Sequence, residues 1–340
     1  MNITFKQASY AILLTIIVLG VVYSVYNFGG QNQPPLPPKN YKIGFLLTDK
    51  DIGSANIAGF KVGMEAAGYK EGVNVTYIEK NAGADRAAVM DGYAKELNDM
   101  GLDIILTGST SATQSLEKLD LKIPVFFLAA GIPGQLVKNP QKPEGMVTGL
   151  GEPSAEFAGR RLEILKQMVP SAKKIISIVE KDYPTADVFR AKLNEAAPVL
   201  GVEMVYIEIS RDKIDEILSK LPLLSKSLGD AYIACTCRSN EKYSKELSAA
   251  LLKAKLPSIN PETEIGAKIG WLASHSNDRY KNGIQATSKV IRILNGEPIS
   301  NIPVEYATDL ILELNLATAK AIGLTLPQSI ISRANKIYNE

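Results

Sequence analysis

Chemistry with a small anion is possible where Thr107-Gly108-Ser109-Thr110-Ser111 leaves an apolar run and enters a helical pattern. Ser109, Thr110 and Ser111 there offer hydroxyls, free backbone N–H groups and the positive end of a helix dipole, which suits a carboxylate; the same residues also serve as ordinary N-caps. Ala129-Ala130-Gly131 closes the next run, and the small side chains of Ala130 and Gly131 either admit a ligand to the backbone or make a tight turn. Further polar segments follow. Tyr183 and Thr185 sit in Glu180-Lys181-Asp182-Tyr183-Pro184-Thr185, and Thr236 in Thr236-Cys237-Arg238-Ser239. Asn260 sits in Asn260-Pro261-Glu262-Thr263, and Ser276 and Asp278 in Ser274-His275-Ser276-Asn277-Asp278. Asp278 can pair with a ligand ammonium or cap the helix that follows it. Tyr183, Trp271 and Tyr280 are aromatics that can stack on a ligand, although Trp271 lies in a strand-like run and is assigned to the core. The residues expected to bind ligand are Ser109, Thr110, Ser111, Ala130, Gly131, Tyr183, Thr185, Thr236, Asn260, Ser276 and Asp278.

Other chemistries lack their residues. His275 is the only histidine and Cys235 and Cys237 are the only cysteines, too few for a histidine relay or a four-ligand zinc site. Cys-Thr-Cys places both sulfurs on one face of an expected strand, where a disulfide would be strained, so the two are read as small core residues. Neither G-x-x-x-x-G-K-[ST] nor G-x-G-x-x-G occurs, so no nucleotide cofactor is expected. With 38 Lys+Arg against 36 Asp+Glu and no block of basic residues, nucleic acid is not an expected partner. No catalytic residue and no metal ligand is assigned.

The elements that position these residues form a pattern. At 340 residues and 46% hydrophobic types the chain supports two folded lobes. Apolar runs Lys42 to Leu47, Val73 to Glu79, Asp103 to Leu106 and Ile123 to Leu128 alternate with helical stretches. The same order returns about 130 residues later at Lys174 to Val179, Val202 to Glu208, Asp230 to Ile233 and Leu256 to Asn260, with a further strand expected near Ile269 to Ala273. This is an α/β chain with two doubly wound parallel-sheet lobes, and such sheets hold ligands beyond the C-terminal ends of their strands. All the polar segments above fall at such ends, around a common interlobe cleft with a hinge. Lobe one is expected over 41–148, with crossover contributions from about 277–310, and lobe two over 149–276; segment 311–340 packs on the lobes.

Residues Tyr10 to Phe28 carry no charge and as a helix would span about 28 Å, enough for a transmembrane helix. Lys6 before it places residues 1–9 in the cytoplasm and the body outside. No small-x-small cleavage site follows, which favours a single-pass anchor in the cell membrane over a removed signal that would leave the protein periplasmic or secreted. The Pro-rich stretch within 29–40 is a stiff spacer.

From Lys42 to Glu340 the chain resembles the periplasmic-binding-protein-like substrate-binding components of ABC transporters, in the branch typified by tryptophan/tyrosine-type binding proteins. The stretch Ile302 to Tyr338 carries the likeness, with an I-P-V-E strand, N-L-x-x-A-x-x-x-G-[IL]-x-[IL]-P and a terminal R-A-[DN]-x-[IV] helix. Gly68-Tyr69-x-x-Gly72-x-Asn74-Val75 and Val147-Thr148-Gly149 match as well. The resemblance implies a type I periplasmic-binding-protein-like fold that closes on a small amino-acid-like solute and delivers it to an ABC permease and ATPase. It carries site roles onto Ser109, Thr110 and Ser111, onto Thr236 and onto Asp278. Two places depart from the pattern: Glu180-Lys181 replaces a frequent Asn-Pro, and Cys235-Thr236-Cys237-Arg238 stands for a P-T-D-N loop. Two other readings of a two-lobed body are a sensor presenting ligand occupancy to a membrane signalling partner and an interlobe enzyme. A two-cysteine racemase would need a thiol from each lobe, whereas both cysteines here lie in one.

Overall fold

In the computed structural model, which describes residues 39–48, 54–83, 86–131, 133–263 and 265–339, the run YKIGFLL forms strand β1 (Tyr41–Leu47), buried on both faces apart from Lys42. Near-continuous burial is what a central parallel strand covered by helices requires. β2 (Val75–Asn81), β3 (Ile104–Thr107), β4 (Val125–Ala130), β5 (Val147–Gly151) and the short β11 (Glu305–Tyr306) complete a six-stranded parallel sheet in the order β11-β5-β4-β3-β1-β2. One face packs Phe45, Leu106 and Phe126 against Phe60 and Val290; the other packs Leu46, Ile105 and Phe127 with Leu97 and Leu116. Each such side chain contributes about 1.5–3 kcal/mol by leaving water.

The second sheet has seven strands in the order β13-β12-β10-β9-β8-β6-β7: β6 (Lys174–Lys181), β7 (Glu203–Ser210), β8 (Ala231–Ile233), β9 (Ser258–Asn260), β10 (Ala273–Asn277), β12 (Leu310–Asn315) and β13 (Lys336–Tyr338). Every pair is parallel except β10–β12, which is antiparallel with His275 opposite Leu312, so β12 and β13 run against the other five strands. The C-terminal segment therefore completes lobe two, and the helix expected around 333–337 is instead β13, paired to β12. The late strand also sits further on than expected. Ala267–Ile269 forms a single 3-10 turn closed by Gly270 at φ 109°, so the strand begins at Ala273 and absorbs Ser274 to Asn277, expected as a loop.

Cys235 and Cys237 are buried, as core residues would be, but they are joined by a disulfide, with Cα atoms 5.2 Å apart. β8 stops at Ile233, so the Cys-Thr-Cys segment is not held extended and the sulfurs meet across Thr236. The reading of two separate thiols is corrected on that ground.

The chain crosses between the lobes three times: after β5 at Glu152-Pro153, after β10 at Asp278, and between β11 and β12 at Ala307 to Asp309. The crossovers are tied to one another. Asp278 N donates to Asp309 O at 2.8 Å, Asn277 Nδ2 to Ala307 O at 3.2 Å, and Ser154 Oγ meets Ser276 Oγ at 3.2 Å. The anchor read over residues 10–28 and all but the last two residues of the spacer read over 29–40 lie outside the described residues, as do residues 49–53. Among the described residues no helix is long and apolar enough to cross a membrane.

Candidate functional site

The strand ends of the two sheets face each other across a cavity of about 570 Å³. From lobe one the start of helix Thr110–Glu117 contributes Ser109, Thr110, Ser111 and Gln114, and the β4 end contributes Ala129 and Gly131. Ser109 is the N-cap: its Oγ accepts from Ala112 N at 3.2 Å and lies 3.2 Å from Ser111 Oγ. Thr110 Oγ1 accepts from Gly131 N at 3.1 Å, binding this helix start to the β4 end. The first N–H groups of a helix lack intrahelical acceptors, so the cap leaves donors at the cavity edge.

Lobe two supplies Tyr183, Thr185, Thr236, Arg238, Arg211 and Glu241. Thr185 Oγ1 donates to Thr236 O at 2.7 Å, and Thr236 Oγ1 accepts from Arg161 Nη2 at 3.3 Å. The Arg238 guanidinium lies 5.2 Å over the Tyr183 ring and reaches Glu180 Oε2 at 3.5 Å. Glu180, wholly buried, also accepts from Ser239 N at 2.6 Å. Burial pushes the Tyr183 phenol above its ordinary value.

Behind this wall Arg161 is 0% exposed and makes no ion pair among the described residues. Its donors reach Ser154 O at 2.7 Å and His275 O at 3.3 Å as well as Thr236. Desolvation pushes its guanidinium down to about 9. The same burial, with Arg161 beside it, pushes the His275 imidazole down to about 3.

At the cavity base Arg279 lies between two carboxylates, with Nε 3.3 Å from Glu152 Oε1 and Nη1 2.9 Å from Glu262 Oε2. Burial opposes the Arg279 charge, but Glu262 and Glu152 outweigh it and hold the group above its usual range.

Seven of the residues expected from sequence line the cavity: Ser109, Thr110, Ser111, Gly131, Tyr183, Thr185 and Thr236. Four do not. Ala130 is wholly buried within β4, and Asn260 faces inward to Ser244 Oγ and Glu262 N. Ser276 pairs with Ser154 between crossovers. Asp278 Oδ1 accepts from Lys281 N at 3.0 Å, so the carboxylate caps the helix it precedes and does not line the cavity. Tyr280 is likewise outside the lining and exposed, while Trp271 is wholly buried with Nε1 donating to Ser244 Oγ at 3.0 Å. Sequence reasoning missed Glu152, Arg161 and Arg279: Glu152 and Arg279 meet across 127 residues, and Arg161 reaches Thr236 and His275 across 75 and 114. Among the described residues no group of three or more His, Cys, Asp or Glu side chains could hold a metal ion.

The model of the family described as ABC transporter substrate binding protein matches residues 47–338. A tyrosine-binding protein of Clostridioides difficile is 27% identical over 293 residues, covering 84% of this chain and 81% of that protein. A conserved domain protein from Vibrio cholerae superposes with a TM-score of 0.78 at 24% identity, over 88% of this chain and 100% of its own. A Streptococcus pneumonia ABC domain in complex with L-Trp does so at 0.77 and 23%, with the same coverage. With two parallel-sheet lobes, three crossovers and a polar interlobe cavity in place, and a family model matching from β1 to β13, the chain belongs to the ABC transporter substrate binding proteins.

Proposed function

We propose that the protein is the extracytoplasmic solute receptor of an ABC importer, closing its lobes on a small amino-acid-like solute and presenting it to a permease and its ATPase. The observation that carries this reading is the 570 Å³ cavity, whose walls come from separate lobes and whose size falls within the usual range for one small molecule. The ligand carboxylate lies on the Ser109–Ser111 helix start, opposite Thr185 and Thr236, with Tyr183 available to an aromatic side chain. That a relative binds tyrosine and a structural neighbour was captured with L-Trp supports an aromatic amino acid. Residues 10–28 tether the receptor to the outer face of the membrane.

Titration calorimetry of the purified full chain with L-tyrosine, L-tryptophan and the remaining amino acids tests the reading. Saturable heat with at least one of them is expected. No heat with any would refute it.

A further inference from the structure

Glu152 occupies the first crossover, where its backbone N still donates to Ala130 O at 2.8 Å as lobe one ends. The residue is 5% exposed, yet it lines the interlobe cavity. Arg279 approaches only its Oε1; Oε2 is buried and has no hydrogen-bond partner among the described residues. A buried carboxylate oxygen without a donor is costly, and such atoms are satisfied somewhere in a working protein.

The neighbouring cations do not supply it. Arg279 is shared with Glu262; Arg161 directs its two Nη groups to Ser154, His275 and Thr236, and its buried Nε makes no bond to Glu152. Among the described residues the missing donor is left to the cavity, and a donor seated against a carboxylate is favoured when it is cationic. Asp278 cannot take that role, because its carboxylate is occupied by Lys281 N outside the cavity.

The layout suits a zwitterion. β3 and β5 lie on either side of β4, so the Ser109–Ser111 helix start and Glu152 flank the β4 end, where Ala129 and Gly131 present nothing longer than a methyl group. A small ligand can lie across this floor with an anionic group at one side and a cationic group at the other.

We propose that Glu152 Oε2 accepts the ligand's primary ammonium and is the residue that makes the cleft choose α-amino acids over the same acids lacking the amino group. The assignment rests on the amino-acid reading of the cleft given above.

The test compares affinities of the full chain for L-tyrosine and L-tryptophan with those for 3-(4-hydroxyphenyl)propionate and indole-3-propionate. Wild type is expected to prefer the amino acids by about tenfold or more, the usual scale for a desolvated charged hydrogen bond. Glu152→Gln should lose about that factor for the amino acids while the des-amino acids change by less than about twofold. Asp278→Asn, which changes a carboxylate that caps its own helix outside the cavity, should keep the preference. Glu152→Asp, which retains the charge but withdraws it by one methylene, provides a second variant if Glu152→Gln does not fold, and it too should lose discrimination.

Equal wild-type affinity for amino and des-amino acids would overturn the assignment, as would discrimination that survives in Glu152→Gln or Glu152→Asp. Either result leaves amino-acid binding standing. A wild type that binds no amino acid would instead bring down the amino-acid reading, and this assignment with it.

Discussion

Ser109 and Asp278 make the same local contact in different surroundings. Each accepts a backbone N–H three residues ahead, at 3.2 and 3.0 Å, but only Ser109 stands at the cavity. Asp278→Ala should therefore cost about 0.5–2 kcal/mol of stability, read as a shift in urea midpoint, with solute affinity unchanged. The triple change Ser109→Ala, Thr110→Ala, Ser111→Ala should lose both stability and affinity; preserved affinity would show that these residues act only as caps. His275 supplies a pH dependence. Its folded-state pKa of about 3 lies below the ordinary 6.5 because burial and Arg161 disfavour the imidazolium, so between those values the unfolded chain binds the extra proton. Stability is then fully present above pH 6.5 and falls as pH drops, by about 2 kcal/mol from pH 7 to pH 5. His275→Gln should flatten that part of the profile in urea titrations. The hydroxyl-rich helix start was legible in the sequence because capping is a contact over three residues. The Glu152–Arg279 pair was not, because it joins positions 127 apart that meet only through two crossovers.

Helices Ser54–Ala66 and Arg279–Leu294 cross at backbone distance. A Cβ on Gly283 would stand 2.0 Å from Asn56 O, and one on Gly59 would stand 1.8 Å from Tyr280 O; these atoms are backbone and cannot swing aside. Gly63, one turn on from Gly59, would meet Thr287 Oγ1 at 2.2 Å, a side chain with some freedom. Gly283→Ala should thus destabilise lobe one by about 1–3 kcal/mol or more, and Gly63→Ala by less, as thermal or urea unfolding would show. Most strands of the two sheets lie within about two residues of the runs read from sequence, since long apolar segments buried on two faces leave little ambiguity. β13 escaped because it is the edge strand, exposed in all but its last residue, so its apolar pattern is broken; in β12, its inner neighbour, Glu313 interrupts the apolar run. The 3-10 turn before β10 displaced the register for a similar reason, since Gly270 ends the apolar run from within.

At the level of the molecule the duplication was legible, because two copies of one supersecondary order about 130 residues apart can be read without knowing any contact. The antiparallel strand that completes the second copy breaks that symmetry and left no repeat to find. Closing two lobes around a solute should move the population to a more compact form, so small-angle scattering should report a smaller radius of gyration with saturating solute. An unchanged radius would argue against closure. If residues 10–28 remain as an anchor, the protein should fractionate with membranes and keep its first thirty residues in N-terminal sequencing.

The three crossovers also govern the order in which the body can be assembled. Lobe one waits for Arg279–Leu294 and β11, although its other strands end at Gly151, and lobe two waits for β12 and β13 at the far end of the chain. A chain emerging from its amino end therefore carries two unfinished sheets until its last sixty or so residues appear, with long-range pairing that slows folding and keeps apolar edges open. A chain stopped at Asn277 would have neither lobe complete. Such a fragment should require a holding chaperone where the whole chain folds unaided, and pulse proteolysis of fragments of increasing length should show protection arriving late and for both lobes almost together.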